Sequence, residues 1–298
     1  MTTNSACSIS PLTGVDGGKL YDCFMEAFSD YQVPVSMDRR AFDWNNALRG
    51  FAPELSVGAF VDGRLAGFIL SGRGIWQGRP TAYDMGTGVI PSCRGRGLSK
   101  SLLSALARQL EAHGVGSYLL EVLKTNTTAF NLYKNDGFSI TRGFLCFRAE
   151  RAAALEKLSG SELPHGFSFG ALQDIPDSRP EFCDWTASWQ NSSDALRRYP
   201  GPVERFGVFL GGELAAYGAA KLAGGDIPQI AVRKDFRRRG IGRALLLKLL
   251  ISMTDKKKIS VINIDEGDSA SAAFFRRAGF GPLTEQFEMM KNFPWLER

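Results

Sequence analysis

Arg94-Gly95-Arg96-Gly97-Leu98-Ser99 and Arg237-Arg238-Arg239-Gly240-Ile241-Gly242 carry one pattern at two places in the chain. Each stretch follows a short apolar run, Gly88-Val89-Ile90 in the first case and Ile230-Ala231-Val232 in the second. Each opens a series at helical spacing, Leu98, Leu102, Leu103, Leu106 and Leu110 in one, Ile241, Leu245, Leu246 and Leu249 in the other. A strand, a basic glycine-containing turn and a helix start together make an anion site. Unpaired backbone N–H groups and the positive end of the helix dipole face the ligand, and arginines add charge. Neither stretch has the Lys-Ser/Thr ending of a nucleoside-triphosphate loop or the G-x-G-x-x-G of a dinucleotide fold.

The repetition extends past these loops. Arg94 and Arg237 stand 143 positions apart, and Gly137-Phe138 and Gly279-Phe280, each closing a second helical pattern, stand 142 apart. A period this long means two copies of a whole domain rather than a solenoid. The 298 residues suffice for two domains, each with its own core. The division reads as 1–150 for the first copy, 151–165 for a linker and 166–298 for the second.

Composition narrows the class. The chain is 44% apolar and 22% charged, ordinary for a globular protein. No apolar run approaches the roughly 18 residues that span a bilayer. Met1-Thr2-Thr3-Asn4-Ser5 lacks the basic start and apolar stretch of a secretory signal. Cys7, Cys23, Cys93, Cys146 and Cys183 are odd in number and form no C-x-x-C pair, so they read as reduced thiols in a cytoplasmic protein. Two histidines, His113 and His165, and no Cys/His cluster argue against a metal. The net charge is +5. Its basic residues concentrate at the two turn-helix junctions, with no tail and no interleaved aromatic stripe. That points to phosphate groups of a small ligand rather than nucleic acid.

Along copy one the pattern predicts a strand at Ser8–Pro11, helices near Gly18–Ser29 and Asp38–Arg49, and a hairpin of Ser56–Val61 and Leu65–Ser71 turning at Asp62-Gly63. A strand at Tyr83–Ile90, a helix to His113, a strand at Tyr118–Leu123, a helix at Thr127–Asn135 and a closing hairpin near Phe138–Arg148 follow. Copy two repeats the order: Phe167–Leu172, a helical region near Arg179–Arg198, a hairpin of Phe206–Leu210 and Leu214–Lys221, then Ile227–Val232, a helix Arg239–Ser252, Ile259–Ile264, a helix Ser269–Arg277 and Phe287–Lys291. Ala149–Leu158 reads as a connecting helix and Ser159–His165 as the boundary. Helices mixed with hairpins imply an α+β domain whose sheet is mostly antiparallel.

The chain resembles a tandem member of the GNAT superfamily of acyl-CoA-dependent N-acyltransferases. Val89-Ile90-Pro91-Ser92-Cys93-Arg94-Gly95-Arg96-Gly97-Leu98-Ser99 is similar to that family's acyl-CoA loop. Leu120-Glu121-Val122 followed by Asn126, Ala129, Leu132-Tyr133 and Gly137-Phe138 is similar to its second motif, above all in the ribosomal-protein N-terminal acetyltransferases. The resemblance implies that the loop amides with Arg94 and Arg96 hold the pyrophosphate of coenzyme A. It implies that Gly97 allows close approach and that Val89 and Ile90 pair with the pantetheine arm. Leu98, Ser99, Asn126 and Phe130 complete the cofactor side in this reading. Val232, Arg237, Arg238, Arg239, Gly240, Ile241 and Gly242 are their counterparts in copy two.

An amine near pKa 10 is mostly protonated at pH 7, so a base is needed. Glu121 matches the family's base and Tyr133 the acid that protonates the departing thiolate, with Asp84 on the neighbouring strand as reserve base. Tyr31, Asp38, Trp44 and the loop with Trp76 would line the acceptor side. Aligning copy two on Gly279-Phe280 sets Asn263 opposite Glu121, Asp268 opposite Asn126 and Phe275 opposite Tyr133, so base and acid are both replaced there. Asp265 and Glu266 are an alternative base. The implied activity is transfer of an acetyl group from acetyl-CoA to a primary amine of a small molecule or protein, in the N-terminal copy. Two alternatives stay open: a non-catalytic acyl-CoA-binding regulator, and catalysis in the C-terminal copy. Oligomeric state is not legible.

Overall fold

The computed structural model describes residues 7–177 and 180–297. The Met1–Ser5 stretch and Arg179 therefore lie outside the described residues. The chain forms two compact units, residues 1–141 with 288–298 and residues 142–287.

Unit 1 runs β1 (Cys7–Pro11), α1 (Gly17–Ala27), α2 (Arg39–Arg49), β2 (Val57–Val61), β3 (Arg64–Trp76), β4 (Arg79–Val89), α3 (Leu98–Ala112), β5 (Ser117–Leu123), α4 (Thr127–Asn135) and the start of β6 (Ser139–Glu150). Its strands lie in the order β1-β2-β3-β4-β5, and the end of a strand from the far terminus follows β5. β1 through β4 pair antiparallel, while β4 and β5 run parallel. Asp62 and Gly63, at φ +50° and +78°, make the predicted tight turn between β2 and β3. Gln77 and Gly78 repeat that geometry at φ +50° and +78°, so β3 and β4 form one long hairpin from Arg64 to Val89. Trp76, expected in a loop, therefore ends a strand and is buried.

Unit 2 runs from the rest of β6 through α5 (Arg151–Leu158), β7 (Phe167–Ala171), α6 (Ser193–Arg198), β8 (Val203–Leu210), β9 (Glu213–Lys221), β10 (Asp226–Val232), α7 (Ile241–Ser252), β11 (Lys258–Asp265) and α8 (Ser269–Arg277) into β12 (Gly281–Asn292). Its strand order is β6-β11-β10-β9-β8-β7, parallel only between β10 and β11. Both units are thus α+β with a mixed, mostly antiparallel sheet. The helical region foreseen near 179–198 shrinks to α6 and a single 3-10 turn at Trp189–Asn191. Pro176 and Pro180, with Asp184, Thr186, Ser188 and Ser192 ahead of α6, favour turns over a helix interior.

The units differ from the chain-order division at 150 and 166 because two strands are shared out. β6 is one strand, not a closing hairpin, and its residues 144–150 pair with 258–265 of β11 inside unit 2. α5, read as a connector, belongs to the unit 2 core: Ala154 and Leu158 are fully buried there, and Arg243 donates to the Lys157 carbonyl at 2.8 Å. Conversely, residues 288–298 count with unit 1, where the Phe293 N–H donates to the Gly116 carbonyl at 2.8 Å.

Candidate active site

The described pairing between β4 and β5 consists of Thr81–Ser117, Ala82–Tyr118 and Tyr83–Leu119. Beyond Tyr83 the two strands part, and a gap opens at their C-terminal ends. At this place a β-bulge offsets β4 against β3, between Leu70–Gly86 and Ser71–Asp84. Bulges re-aim side chains. Here Asp84 reaches forward along its own strand, accepting from the Gly86 N–H and the Thr87 hydroxyl, both at 2.8 Å. Its Oδ2 also accepts from the Tyr133 hydroxyl at 3.0 Å.

α4 delivers Tyr133 because Asn126 caps that helix, its side chain accepting from the Ala129 N–H at 3.1 Å. The ring packs edge-on against Phe138 with centroids 5.6 Å apart. Burial first, then the Asp84 carboxylate, raises the Tyr133 phenol well above its ordinary range. Burial likewise raises Asp84, although its three hydrogen-bond donors and Arg49 pull the other way. Glu121 lies elsewhere in the network. It accepts a hydrogen bond from Tyr83, whose phenol burial and the Glu121 charge hold well above its usual range. The structure therefore joins the acid candidate to the reserve base, Asp84, and gives Glu121 a different phenol. No spacing in the sequence signals that exchange, because the bulge decides which way Asp84 points.

The loop after β4 has the shape of an anion cradle. Gly95 and Gly97 lie at φ +75° and +76°, with nothing within 4 Å of where a side chain would project. Gly97 caps α3 with no side-chain bond to its first N–H groups, unlike Asp16, Asp38 and Asn126 on α1, α2 and α4. Leu98 is buried and anchors the helix start, while Ser99 is half-buried. The exposed Arg96 donates to the Ser92 carbonyl at 3.2 Å. Arg94, expected on the pyrophosphate, is used differently. Its Nε donates to the Val89 carbonyl at 3.0 Å, and its Nη2 to the Ala27 carbonyl at 2.9 Å. Both Nη atoms also hold Asp30, at 2.6 and 2.8 Å. Its guanidinium fastens the loop to the end of α1.

Copy two repeats the cradle. Arg237 donates from Nε to the Val232 carbonyl at 3.1 Å, from Nη2 to the Phe182 carbonyl at 2.9 Å and from Nη1 to Asp184 at 2.6 Å. Gly240 caps α7 at φ +86°, again without a side-chain bond. Arg238 stands where copy one has Gly95 and is held at φ +65°. Gly242 approaches Phe274 and Val232, within 3.5 Å of where a side chain would project. Ile241 is buried, and the exposed Arg239 donates to the Asp235 carbonyl at 3.1 Å.

The positions of copy two that align with Tyr133 and Glu121 hold Phe275 and Asn263. Phe275 packs edge-on against Phe280 at 5.5 Å, the ring geometry of Tyr133 and Phe138 without a hydroxyl. Asn263, at φ +60° in a bulged stretch of β11, is fully buried. It donates to Ser188 at 3.1 Å and accepts from Gln286 at 2.8 Å, so a structural amide network occupies the counterpart of Glu121. Of the residues expected to line the acceptor side, Tyr31 lies near Asp84 and Asn126, which bear on its phenol. Asp38 caps α2 through the Ala41 N–H, and Trp44 lies under Arg40. Phe130 is half-buried on α4. No group of three or more His, Cys, Asp or Glu suited to a metal occurs among the described residues, and none of their helices is long and apolar enough to cross a membrane.

Comparison with known proteins places this geometry. The chain is 32% identical over 124 residues to a mycothiol acetyltransferase of Streptomyces avermitilis, which covers 42% of this chain and 40% of that protein. It is 43% identical over 51 residues to a [ribosomal protein bS18]-alanine N-acetyltransferase of Haemophilus ducreyi, covering 17% of this chain and 35% of that one. The chain thus matches well under half the length of either relative. A tandem GNAT protein from the clavulanic acid biosynthesis pathway shares the fold at a TM-score of 0.72 and 16% identity, over 96% of this chain and 98% of that one. The acetyltransferase (GNAT) family model matches twice, over residues 19–138 and 171–280. With two copies of the loop and of the helix that follows it, the chain belongs to the acetyltransferase (GNAT) family.

Proposed function

We propose that the protein is an N-acetyltransferase that moves an acetyl group from acetyl-CoA to a primary amine by direct attack, with the chemistry in unit 1. The observation that carries this reading is the Tyr133–Asp84 pair at 3.0 Å beside the parting of β4 and β5, set against Phe275 and Asn263 in unit 2. Acyl-CoA supplies a thioester whose sulfur needs a proton as the acyl group leaves it. Tyr133 Oη holds that proton at neutral pH, because burial and Asp84 both keep the phenol protonated. When Asp84 is itself protonated it donates to Tyr133, which frees the phenolic hydrogen for the sulfur. Glu121, across the gap, takes the proton of the attacking amine. The amides of Gly95 to Ser99 and Arg96 bind pyrophosphate, and the backbone of Val89 and Ile90 lines the pantetheine path.

Similarity to a mycothiol acetyltransferase and to a [ribosomal protein bS18]-alanine N-acetyltransferase supports an amine acceptor that is either a small molecule or a protein. The five cysteines, all free, suit a reducing compartment such as the cytoplasm. Turnover of an amine library with acetyl-CoA, read as released thiol, tests the activity. Loss of turnover in Tyr133→Phe with acetyl-CoA affinity kept supports unit 1, whereas loss in Gly240→Glu alone moves the site to unit 2.

A second reading concerns unit 2 by itself. Arg238 is held at φ +65°, a conformation costing about 1–2 kcal/mol for a residue with a side chain. Such strain persists where a fixed loop shape is needed. Unit 2 in this reading binds acyl-CoA through Val232 and the residues 237–242 and does no chemistry. Calorimetry with acetyl-CoA on the Gly97→Glu protein tests it: one remaining site supports it, and none removes it.

A further inference from the structure

The segment joining α1 to α2 crosses from the cofactor loop to the turn that leads into α4. At one end Asp30 holds Arg94 through two bonds, at 2.6 and 2.8 Å, and Arg94 in turn fixes the loop through Val89. Two residues later, Gln32 accepts from the Thr125 hydroxyl at 2.8 Å and donates to the Thr125 carbonyl at 3.5 Å. Thr125 directly precedes Asn126, the cap of α4. Three residues of chain therefore tie the 94–99 loop to the start of α4, the two elements between which acyl-CoA lies in the reading above. Unit 2 has the same two-point tie with different chemistry. Asp184 holds Arg237 at 2.6 Å and Lys234 at 3.0 Å, and the next residue, Trp185, donates to Asp268, the cap of α8, at 2.8 Å.

The second anchor differs, glutamine with threonine in one unit and tryptophan with aspartate in the other, and the tie spans three residues in the first and two in the second. Unit 2 keeps a tie of this kind although Phe275 and Asn263 stand there in place of Tyr133 and Glu121. A role in proton transfer does not explain that, and retention of a ligand between loop and cap does. We propose that Asp30 and Gln32 are positioning residues for acyl-CoA, forming a strap that closes the cofactor's exit between the 94–99 loop and the start of α4. The proposal rests on the reading that acyl-CoA occupies this loop.

The strap acts on retention, so its loss shows in the dissociation rate. A hydrogen bond contributes about 0.5–1.5 kcal/mol net, a change of roughly two- to twelvefold. Gln32 and Thr125 are both exposed, so Gln32→Ala and Thr125→Val keep the fold. The measurement is displacement of acetyl-CoA from the full-length protein, followed by stopped-flow, beside its calorimetric affinity and its melting temperature. Faster dissociation in both variants, with association and melting unchanged and with Thr125→Ser near the unaltered rate, is the supporting result. Dissociation unchanged in both variants, or a fall in melting temperature with no change in dissociation, overturns the strap. Failure of the unaltered protein to bind acetyl-CoA at all overturns the cofactor reading beneath it, and the two failures are thereby separate.

Discussion

The Tyr133 hydroxyl donates to Asp84 Oδ2 at 3.0 Å, joining the helix after β5 to the bulged strand β4 across the gap where these strands part. Its counterpart in unit 2 is a phenylalanine of matching ring position, so nature has already made the comparison that a Tyr→Phe substitution makes.

Tyr133→Phe keeps the contact with Phe138 and removes only the hydroxyl. Turnover should fall by roughly 10²–10⁴, the usual worth of a positioned acid, with acetyl-CoA affinity nearly unaltered. Phe275→Leu should leave turnover nearly unchanged. Steady-state kinetics on both variants decide the assignment, and the opposite pattern would place the chemistry in unit 2.

Asp84 has its folded pKa raised by burial. A carboxyl raised in this way stabilises the fold most fully below its unfolded value, and that contribution is lost as pH rises through the folded value. Asp84→Asn removes this dependence. The stability of the variant relative to the native chain should therefore be most favourable at pH 7 and should decline toward pH 4. Urea titrations at the two pH values read the difference, and a flat difference would contradict the shift.

Arg238 at φ +65° offers a test with a definite sign. Arg238→Gly relieves the left-handed strain and should stabilise unit 2 by up to about 1 kcal/mol, whereas Arg238→Val should destabilise it. Thermal melts of the two variants give the comparison.

The thiols sort by burial. Cys7 is exposed and Cys183 half-buried, while Cys23, Cys93 and Cys146 are buried. Burial pushes the Cys23 thiol up to about 12, so it carries almost no thiolate at neutral pH. A thiol reagent on the native protein should label Cys7 first and spare Cys23, and all five should react after unfolding. Rapid native labelling of Cys23 would show that the α1 packing opens.

Much of this was legible in the sequence, for local reasons. α4 and α8 span Thr127–Asn135 and Ser269–Arg277, the bounds read from the sequence, with Gly137-Phe138 and Gly279-Phe280 closing each pattern. The two cradles follow from glycines at fixed positions before leucine-rich helices. What escaped depends on contacts distant in sequence. The use of Arg94 rests on Asp30, 64 positions away, and the direction of Asp84 on a bulge set by pairing with β3. The Gln77-Gly78 turn, by contrast, rests on a local glycine. The fate of β6 and β12 was not local at all, since nothing within either strand names the neighbour it pairs with.

Phe293 is buried and stacks on Trp295 at 4.3 Å within unit 1, although both stand at the far end of the chain. Phe293→Ala should cost about 3–5 kcal/mol and lower activity by weakening unit 1, although the substitution lies in sequence after all of unit 2. Denaturant unfolding with an activity assay measures both.

Because β6 completes the sheet of unit 2 and the end of β12 completes that of unit 1, neither ancestral copy can be inherited alone. A gene truncated after the first copy would encode a unit lacking the strand end beside β5. A gene beginning at the second would lack the strand beside β11. Each copy is thus answerable for the other's survival. Selection on whichever unit does the chemistry protects its partner's fold, whatever residues stand at the partner's aligned positions. The duplication, once its strands were shared out this way, could no longer be undone by deletion.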